Sequence, residues 1–405
     1  MPPAPKPLHR ALLLLPPAPS PATYAALKTA YSPSLNTVLK ELARSPQRAR
    51  ERAVLDIALP CPHLCGRLDE ARGPLYATAQ SLVAGLYKLI GIVAAKNAID
   101  TEDAEGVDAR VIPVAYPRDG KLSQTPEPQR PEQEVQGPAI DLHTLATSPR
   151  SWHTIYSVAC EEGERLLQHF QSASPAVANV QKVRGGIVSV DSSLPAGTSP
   201  GSAQEPVRHL SVAVGGTFDH LHIGHKLLLT MFAFVLARPS GTAHQSSTLT
   251  IGITGDALLG NKKFSEYLES WDERQRATHD FLSSIVYFGS PEDKRIRIEK
   301  LKEPGQDGRA VHVTYPSGLT INYVEIQDPF GPTITDETIS ALAISLETRS
   351  GGKAVNDKRA EKGWRSLEVF EVDVLDASEE EGVDETFQSK LSSTEIRKSR
   401  SERAG

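Results

Sequence analysis

Read as a pattern of apolar and polar positions, the 405-residue chain falls into two stretches in which short apolar runs alternate with longer helical repeats. In the first stretch Ala11 to Leu15, Ala53 to Ala58 and Ala109 to Ala115 predict short buried strands, and Leu75 to Ala98 and Ser151 to Gln171 place apolar residues at helical spacing. In the second, Leu210 to Val214, Thr248 to Thr254, Thr320 to Ile326, Ile339 to Ser345 and Leu367 to Val374 predict five strands. Helices are expected between them over Gly224 to Ala237, Trp271 to Ser284 and Lys353 to Trp364. Such alternation predicts an α/β fold, a doubly wound, Rossmann-like parallel sheet preceded by a second α/β domain. Ligands of such sheets bind beyond the C-terminal ends of the strands.

Two composition breaks interrupt the pattern. Pro117 to Pro138 is rich in Pro, Gln and Glu and reads as a surface loop; Ser172 to Pro206 is a mixture of Ser, Ala, Gly and Pro around Gly186 to Val190. The second break divides the chain into an N-terminal α/β domain over 1–171, a linker over 172–206 and a C-terminal domain over 207–405. With 39% hydrophobic and 23% charged residues and a net charge of −6, the composition is that of an ordinary soluble protein, and mild acidity argues against a nucleic-acid surface. No stretch approaches the roughly 20 apolar residues that span a bilayer. The run Ala11 to Leu15, cut short by Pro16 and Pro17, is too brief for a secretory segment, so a cytoplasmic protein is expected, with no nucleic acid and no membrane among its partners. Three cysteines, at 61, 65 and 160, are too few for a disulfide framework. Cys61, His63 and Cys65 offer three zinc-type ligands, but no second cysteine pair completes a site, and reduced thiols are expected.

The chemistry concentrates in Val214-Gly215-Gly216-Thr217-Phe218-Asp219-His220-Leu221-His222-Ile223-Gly224-His225, which joins the first predicted strand of the second domain to its helix. Glycines let the backbone approach a ligand, a helix start presents unpaired N–H groups, and imidazole complements negative charge, so the segment suits a phosphate. A metal site built from His220, His222 and His225 is one alternative, and a purely structural turn is another. The spacing excludes a dinucleotide fingerprint, and no P-loop motif occurs in the chain. Further segments lie where predicted strands end. They are Gly255 to Lys263 with its lysine pair, Asp328-Pro329-Phe330-Gly331-Pro332, Glu347 to Asn356 with Gly351 and Gly352 flanked by cations, and Lys390 to Arg397 with Ser392, Ser393 and Thr394 opening a last helix. Each has a bland reading: a solvated lysine pair, a turn, a helix cap. The acidic stretch Asp376 to Glu385 reads as a solvated loop.

Taken in order, G-G-T-F-D-x-L-H-x-x-H-K at 215–226, D-P-F-G-P at 328–332, E-T-x-x-G-G-x-A-x-N at 347–356 and S-S-T-x-I-R at 392–397 resemble the phosphopantetheine adenylyltransferases of eukaryotes. These belong to the cytidylyltransferase-like nucleotidyltransferase superfamily with an H-x-G-H motif. The resemblance covers about half the chain and implies transfer of AMP from ATP to 4′-phosphopantetheine, giving dephospho-coenzyme A and pyrophosphate. In animals the domain is fused to a kinase carrying a P-loop; the chain stops eight residues after Arg397, so a monofunctional, fungal-type enzyme is expected.

By the resemblance, His225 stabilises the transition state at the α-phosphate, Thr217 bridges nucleotide and attacking phosphate, and Lys262 and Lys263 hold transferring or substrate phosphate oxygens. Gly215, Gly216, Phe218, His222 and Gly224 complete the nucleotide-binding loop. Gly351, Gly352 and Lys353 line the nucleotide, Arg349 serves the substrate, and Ser392, Ser393, Thr394 and Arg397 hold the outer phosphates. Mg²⁺ accompanies ATP, with no metal ligated by the protein itself. Two alternatives stand beside this reading: a cytidylyltransferase acting on another phosphorylated small molecule, and a non-catalytic scaffold. On the scaffold reading the N-terminal domain gathers other enzymes of coenzyme A biosynthesis.

Overall fold

The computed structural model describes residues 8–45, 52–101, 106–122, 135–174, 179–190, 205–238, 246–305, 308–373, 375, 387 and 391–404. The acidic stretch 376–385, most of the Pro-rich loop and Lys390 lie outside them. The chain forms two compact units, Met1–Pro126 with Ala139–Val207, and Glu127–Pro138 with Arg208–Gly405.

In the first unit the elements run β1 (Leu8–Leu14), α1 (Tyr24–Arg44), β2 (Arg52–Pro60), α2 (Gly73–Lys96), β3 (Val107–Ala115), β4 (Ile140–Asp141), α3 (Leu142–Thr147), β5 (Thr154–Val158), α4 (Glu161–Ala173) and β6 (Asn179–Val183). The strands pair in parallel in the order β4-β3-β2-β1-β5-β6. Their near-continuous apolar runs follow from burial on both faces, since helices cover a parallel sheet on either side. Helix α1 was not anticipated from the sequence, because prolines before it and Pro33 within it punctuate the pattern. Thr23 caps it by accepting from Ala26 N, and Leu27, Tyr31, Leu35, Val38 and Leu42 line its buried face.

Three expectations for this unit need correction. Ser151 to Gln171 is not one helix. Thr154 to Val158, β-branched and aromatic, pairs with β1, and Cys160 Sγ then accepts from Gly163 N at 3.3 Å to start α4. The stretch taken as a linker contains β6, and Ser20 bridges Val190 beyond it, so residues to 190 belong to the first unit. Finally, α2 is by length and composition apolar enough to cross a membrane, and 67% of its most apolar window is buried inside the protein, as in a core helix.

The second unit runs β7 (Ser211–Gly216), α5 (Ile223–Val235), β8 (Ser247–Thr254), α6 (Trp271–Val286), β9 (Arg297–Gly305), β10 (Gly308–Thr314), β11 (Leu319–Ile326), β12 (Ala341–Ser345), α7 (Arg349–Glu361), β13 (Glu368–Val372) and α8 (Ser393–Ala404). Its sheet order is β13-β12-β7-β8-β11-β10-β9, seven strands where five were expected. The addition is the antiparallel β9-β10 hairpin, whose charged residues on β9 suit an exposed sheet edge. The five remaining strands are parallel, as expected for a doubly wound fold. Ile223, Leu227, Met231, Phe232 and Phe234 are buried on α5, each contributing about 1.5–3 kcal/mol of burial. That anchors the helix whose first turn carries the G-H pair.

Once β4, β9 and β10 are set aside, the two sheets have the same parallel pairing. β1, β2, β3, β5 and β6 correspond in turn to β7, β8, β11, β12 and β13. In each, the first strand lies between the second and the fourth, and that is the topological switch point.

Candidate functional site

The turn after β7 is built by two residues that accept a left-handed backbone, Phe218 at φ 52° and His220 at φ 48°. Gly216 is required above them: a Cβ there would lie 2.9 Å from the Phe218 ring, which folds back beneath the strand end. Phe218 is fully buried and meets His225 edge-on at 5.6 Å, so its ring supports the loop from below. His222 is the N-cap of α5. Its Nδ1 accepts from His225 N at 3.4 Å, and the two imidazoles stack with centroids 3.8 Å apart. A side chain on Gly224 would crowd the His222 ring at 3.2 Å.

Arg274, on α6 and fully buried, holds the loop in register with its neighbours. It donates to Thr217 O at 2.7 Å, Thr254 O at 2.8 Å, Glu269 O at 2.9 Å and Asp256 Oδ1 at 2.6 Å. On the solvent side Lys262 Nζ donates to Thr217 Oγ1 at 3.3 Å. Of the lysine pair, then, Lys262 reaches the loop through its side chain, whereas Lys263 contributes a backbone carbonyl that accepts from Arg397 Nε at 3.1 Å.

Helix α8 is drawn onto the same loop. Ser393 Oγ donates to Asp219 O at 2.8 Å, Arg397 Nη1 pairs with the fully buried Asp219 carboxylate, and Leu391 lies against Gly224. In this arrangement Arg397 points inward, and each of the three hydroxyls, half-buried, makes a bond within the protein. Arg397 is buried, Thr394 Oγ1 accepts from Arg397 Nη2 at 3.2 Å, and Ser392 Oγ accepts from Glu395 N at 3.4 Å as a helix cap. Asp219 draws Arg397 inward because a buried carboxylate needs a charged partner.

The segment around 349 leaves β12, on the other side of the switch point from β8. Its helix begins four residues earlier than expected, because Ser345 and Thr348 form a capping box ahead of Arg349. Gly351 and Gly352 therefore lie in the first turn of α7. Gly352 packs on Ile344 of β12, while space opens beside Gly351. Arg349 pairs with Glu371 and Lys353 with Asp357, both on the exposed surface. No contact brings these two cations to Thr217 or His225 among the described residues.

Burial pushes the His225 imidazole down to about 4, with Lys262 and His220 adding to the effect against Glu269, and it holds His222 well below its ordinary value too. Both rings are neutral at pH 7. Burial works the same way on His220, but the hydrogen bond to Glu269, its charge and Asp219 outweigh it and raise that group. For Lys262, loss of water and then the charges of Arg397 and Arg274 lower the ammonium. Asp219, His220 and Glu269 bring ligand-type atoms within 4.8 Å of one another, the one such group found among the described residues. They do not fit a resident cation. Asp219 Oδ1 accepts from Glu269 N at 3.0 Å and Oδ2 is paired with Arg397, while Glu269 Oε2 accepts from His220 N at 2.8 Å. This group is an internal brace. Neither the three-histidine metal reading nor Cys61, His63 and Cys65 assembles such a cluster among the described residues, and all three cysteines are free.

Sequence reasoning passed over Arg274, Glu269 and Arg359. Arg359 is buried on α7 and donates to the carbonyls of Thr333, Asp336, Glu337, Ile339 and Arg365, which fixes the chain beyond the D-P-F-G-P turn. A signal did exist: Trp271, Arg274, Thr278, Phe281 and Ile285, like Gly352, Val355 and Arg359, put an arginine on the apolar face of a helix.

The chain is thus an α/β protein with a glycine turn and an imidazole-capped helix start at a topological switch point. A family model described as "Domain of unknown function (DUF8446)" matches residues 1–189. The chain is 31% identical over 256 residues to "Uncharacterized protein C1F12.08" of Schizosaccharomyces pombe, covering 62% of this chain and 66% of that protein. It is 38% identical over 186 residues to a phosphopantetheine adenylyltransferase of Saccharomyces cerevisiae, 46% of this chain and 47% of the relative. A protein of the same name from Methanothermobacter thermautotrophicus is 28% identical over 187 residues, 46% of this chain and 82% of its own length. The match to the yeast enzyme thus spans about half of that relative.

Proposed function

We propose that the second unit is a pantetheine-phosphate adenylyltransferase. The observation that carries this reading is the convergence on one loop of Thr217 with Lys262 on its hydroxyl, the His222-His225 pair at the start of α5, and the S-S-T helix latched through Ser393. The relatives named phosphopantetheine adenylyltransferase support the substrates, ATP and 4′-phosphopantetheine.

The step is an in-line displacement. A phosphate oxygen of 4′-phosphopantetheine forms a bond to the α-phosphorus of ATP, the bond from that phosphorus to the bridging oxygen breaks, and pyrophosphate leaves. The nucleophile is already anionic, so the protein needs no base; it must position two anions and stabilise charge on the phosphorus. His225, neutral at pH 7, does this as an N–H donor. Its Nδ1 is buried without a hydrogen-bond partner, which favours the tautomer with its proton on Nε2. Lys262 supplies a mobile positive charge beside Thr217. Mg²⁺ enters with ATP on its phosphate oxygens, as part of the substrate.

The test is pyrophosphate release by the purified chain with Mg²⁺, 4′-phosphopantetheine and either ATP or CTP. Turnover with ATP, at least ~10-fold faster than with CTP, is expected; a preference for CTP, or no turnover with either, overturns the reading.

A further inference from the structure

The first unit repeats the strand order of the second, so its own switch point, between β1 and β5, is where a ligand would sit. What leaves the strands there is different chemistry. Between β1 and α1, where the second unit has its glycine turn, nine residues from Leu15 to Thr23 include Pro16, Pro17, Pro19 and Pro21. Proline has no N–H, so this loop offers few donors to an oxyanion. Two of its five N–H groups are bonded within the chain, Leu15 N on Ala58 O at 3.2 Å and Ser20 N on Ser189 O at 3.0 Å. Some of its carbonyls are taken by side chains. The fully buried Tyr31 donates from its hydroxyl to Pro16 O at 2.9 Å, and Arg118 donates to Ala18 O.

After the fifth strand of the repeat the second unit has helix α8. The first unit instead lays an extended strap, residues 184–190, across α1. Gly186 N donates to Ala30 O at 3.0 Å, Ser20 bridges Val190, and a Cβ at Gly186 would sit 1.7 Å from Thr29 O, so the strap lies directly on the helix backbone. After the fourth strand, α4 opens with Glu161, Glu162 and Glu164 in its first turn, where α7 has no acidic residue. Carboxylates there satisfy the helix dipole and repel a phosphate.

We infer that the first unit is a closed copy of the second unit's fold, its phosphate-loop position filled by its own prolines, Tyr31, Arg118 and the 184–190 strap, so that among the described residues the switch point of the first unit holds no second nucleotide site. The inference concerns the first unit's loops and does not depend on which nucleotide the second unit uses.

Hydrogen-exchange mass spectrometry on the full chain tests it, first alone, then with MgATP, then with inorganic pyrophosphate. Without ligand, the amides of Ser20 and Gly186 should exchange at least ~100-fold more slowly than in unstructured peptide, because both are bonded within the seal. With either ligand, exchange should slow within 215–225 and stay unchanged over 15–23, 159–164 and 184–190. Fast exchange at Ser20 and Gly186, or ligand-induced slowing in any of those first-unit segments, overturns the inference. Unchanged exchange at 215–225 would count against the proposed function instead, and the seal's own exchange would still decide this one.

Discussion

The two units share one parallel strand order and almost nothing in the loops that leave it. Beyond β7 the chain turns on glycine, reaches a helix start capped by imidazole and receives a lysine; beyond β1 it turns on proline and is covered by its own strap. The difference teaches that the sheet supplies a location and nothing more. Whether the location takes an anion depends on how many N–H groups point into it and on whether carboxylates or cations surround it. In the second unit the buried arginines Arg274, Arg359 and Arg397 spend donors on loop carbonyls and on Asp219 and Asp256, and this holds the loops at the strand ends in shape.

The sharpest way to break the comparison is to remove that bracing. Arg274→Ala leaves the carbonyls of Thr217, Thr254 and Glu269 and the Asp256 carboxylate without their donor. It should cost about 3–5 kcal/mol in denaturant unfolding of the second unit, with the first unit's hydrogen exchange unchanged. An effect below about 1 kcal/mol would show that the loop holds itself. Next comes chemistry. His225→Ala should lower kcat by roughly 100-fold or more, the size of one lost oxyanion-type contact. Tyr31→Phe, which removes the hydroxyl that donates to Pro16 O in the closed unit, should stay within about twofold of wild type; equal losses in the two variants would erase the distinction.

Acid gives a smaller effect with a definite sign. His225 titrates at about 4 in the folded protein, below its ordinary value near 6.5, so the unfolded chain binds more protons between those values. The stability it contributes is therefore full above pH 6.5 and falls as pH drops toward 4, by about 2 kcal/mol at pH 5. His220, raised by Glu269, offsets part of this loss. His222, held down by burial in the same way, adds to the loss, so urea titrations from pH 8 to 5 should show the decline and His225→Asn should make it shallower without abolishing it; an unchanged slope in the variant would remove His225 as a source. Smallest of all, Ser393→Ala loses one hydrogen bond to Asp219 O, about 1 kcal/mol, and should raise KM for ATP several-fold more than it lowers kcat. A pure kcat effect would place the hydroxyl in the transition state instead.

Much of this was legible in the apolar pattern. The strands of the second unit fall within a few residues of their expected places because buried parallel strands are uninterrupted apolar runs, and the glycine turn follows the first of them. Helix α1 was hidden by Pro33, and β5 was hidden because its residues continue the apolar spacing of α4 into one apparent helix. At the site, residue types predicted the loop but not the direction of its side chains. Arg397 and Thr394 look like phosphate ligands in sequence, yet the buried Asp219, which no local pattern reveals, turns Arg397 inward. The repeat itself left no trace in the motifs. It lies in strand order, and the two β1-type loops share no chemistry.

On the proposed function, the loop between β7 and α5 joins AMP to 4′-phosphopantetheine. Mass spectrometry of a reaction containing the full chain, MgATP and 4′-phosphopantetheine tests it most directly. Dephospho-coenzyme A and pyrophosphate are expected in equal amounts, both formed roughly 100-fold more slowly, or slower still, in His225→Ala. Pyrophosphate without dephospho-coenzyme A, or no adenylylated product at all, would contradict it.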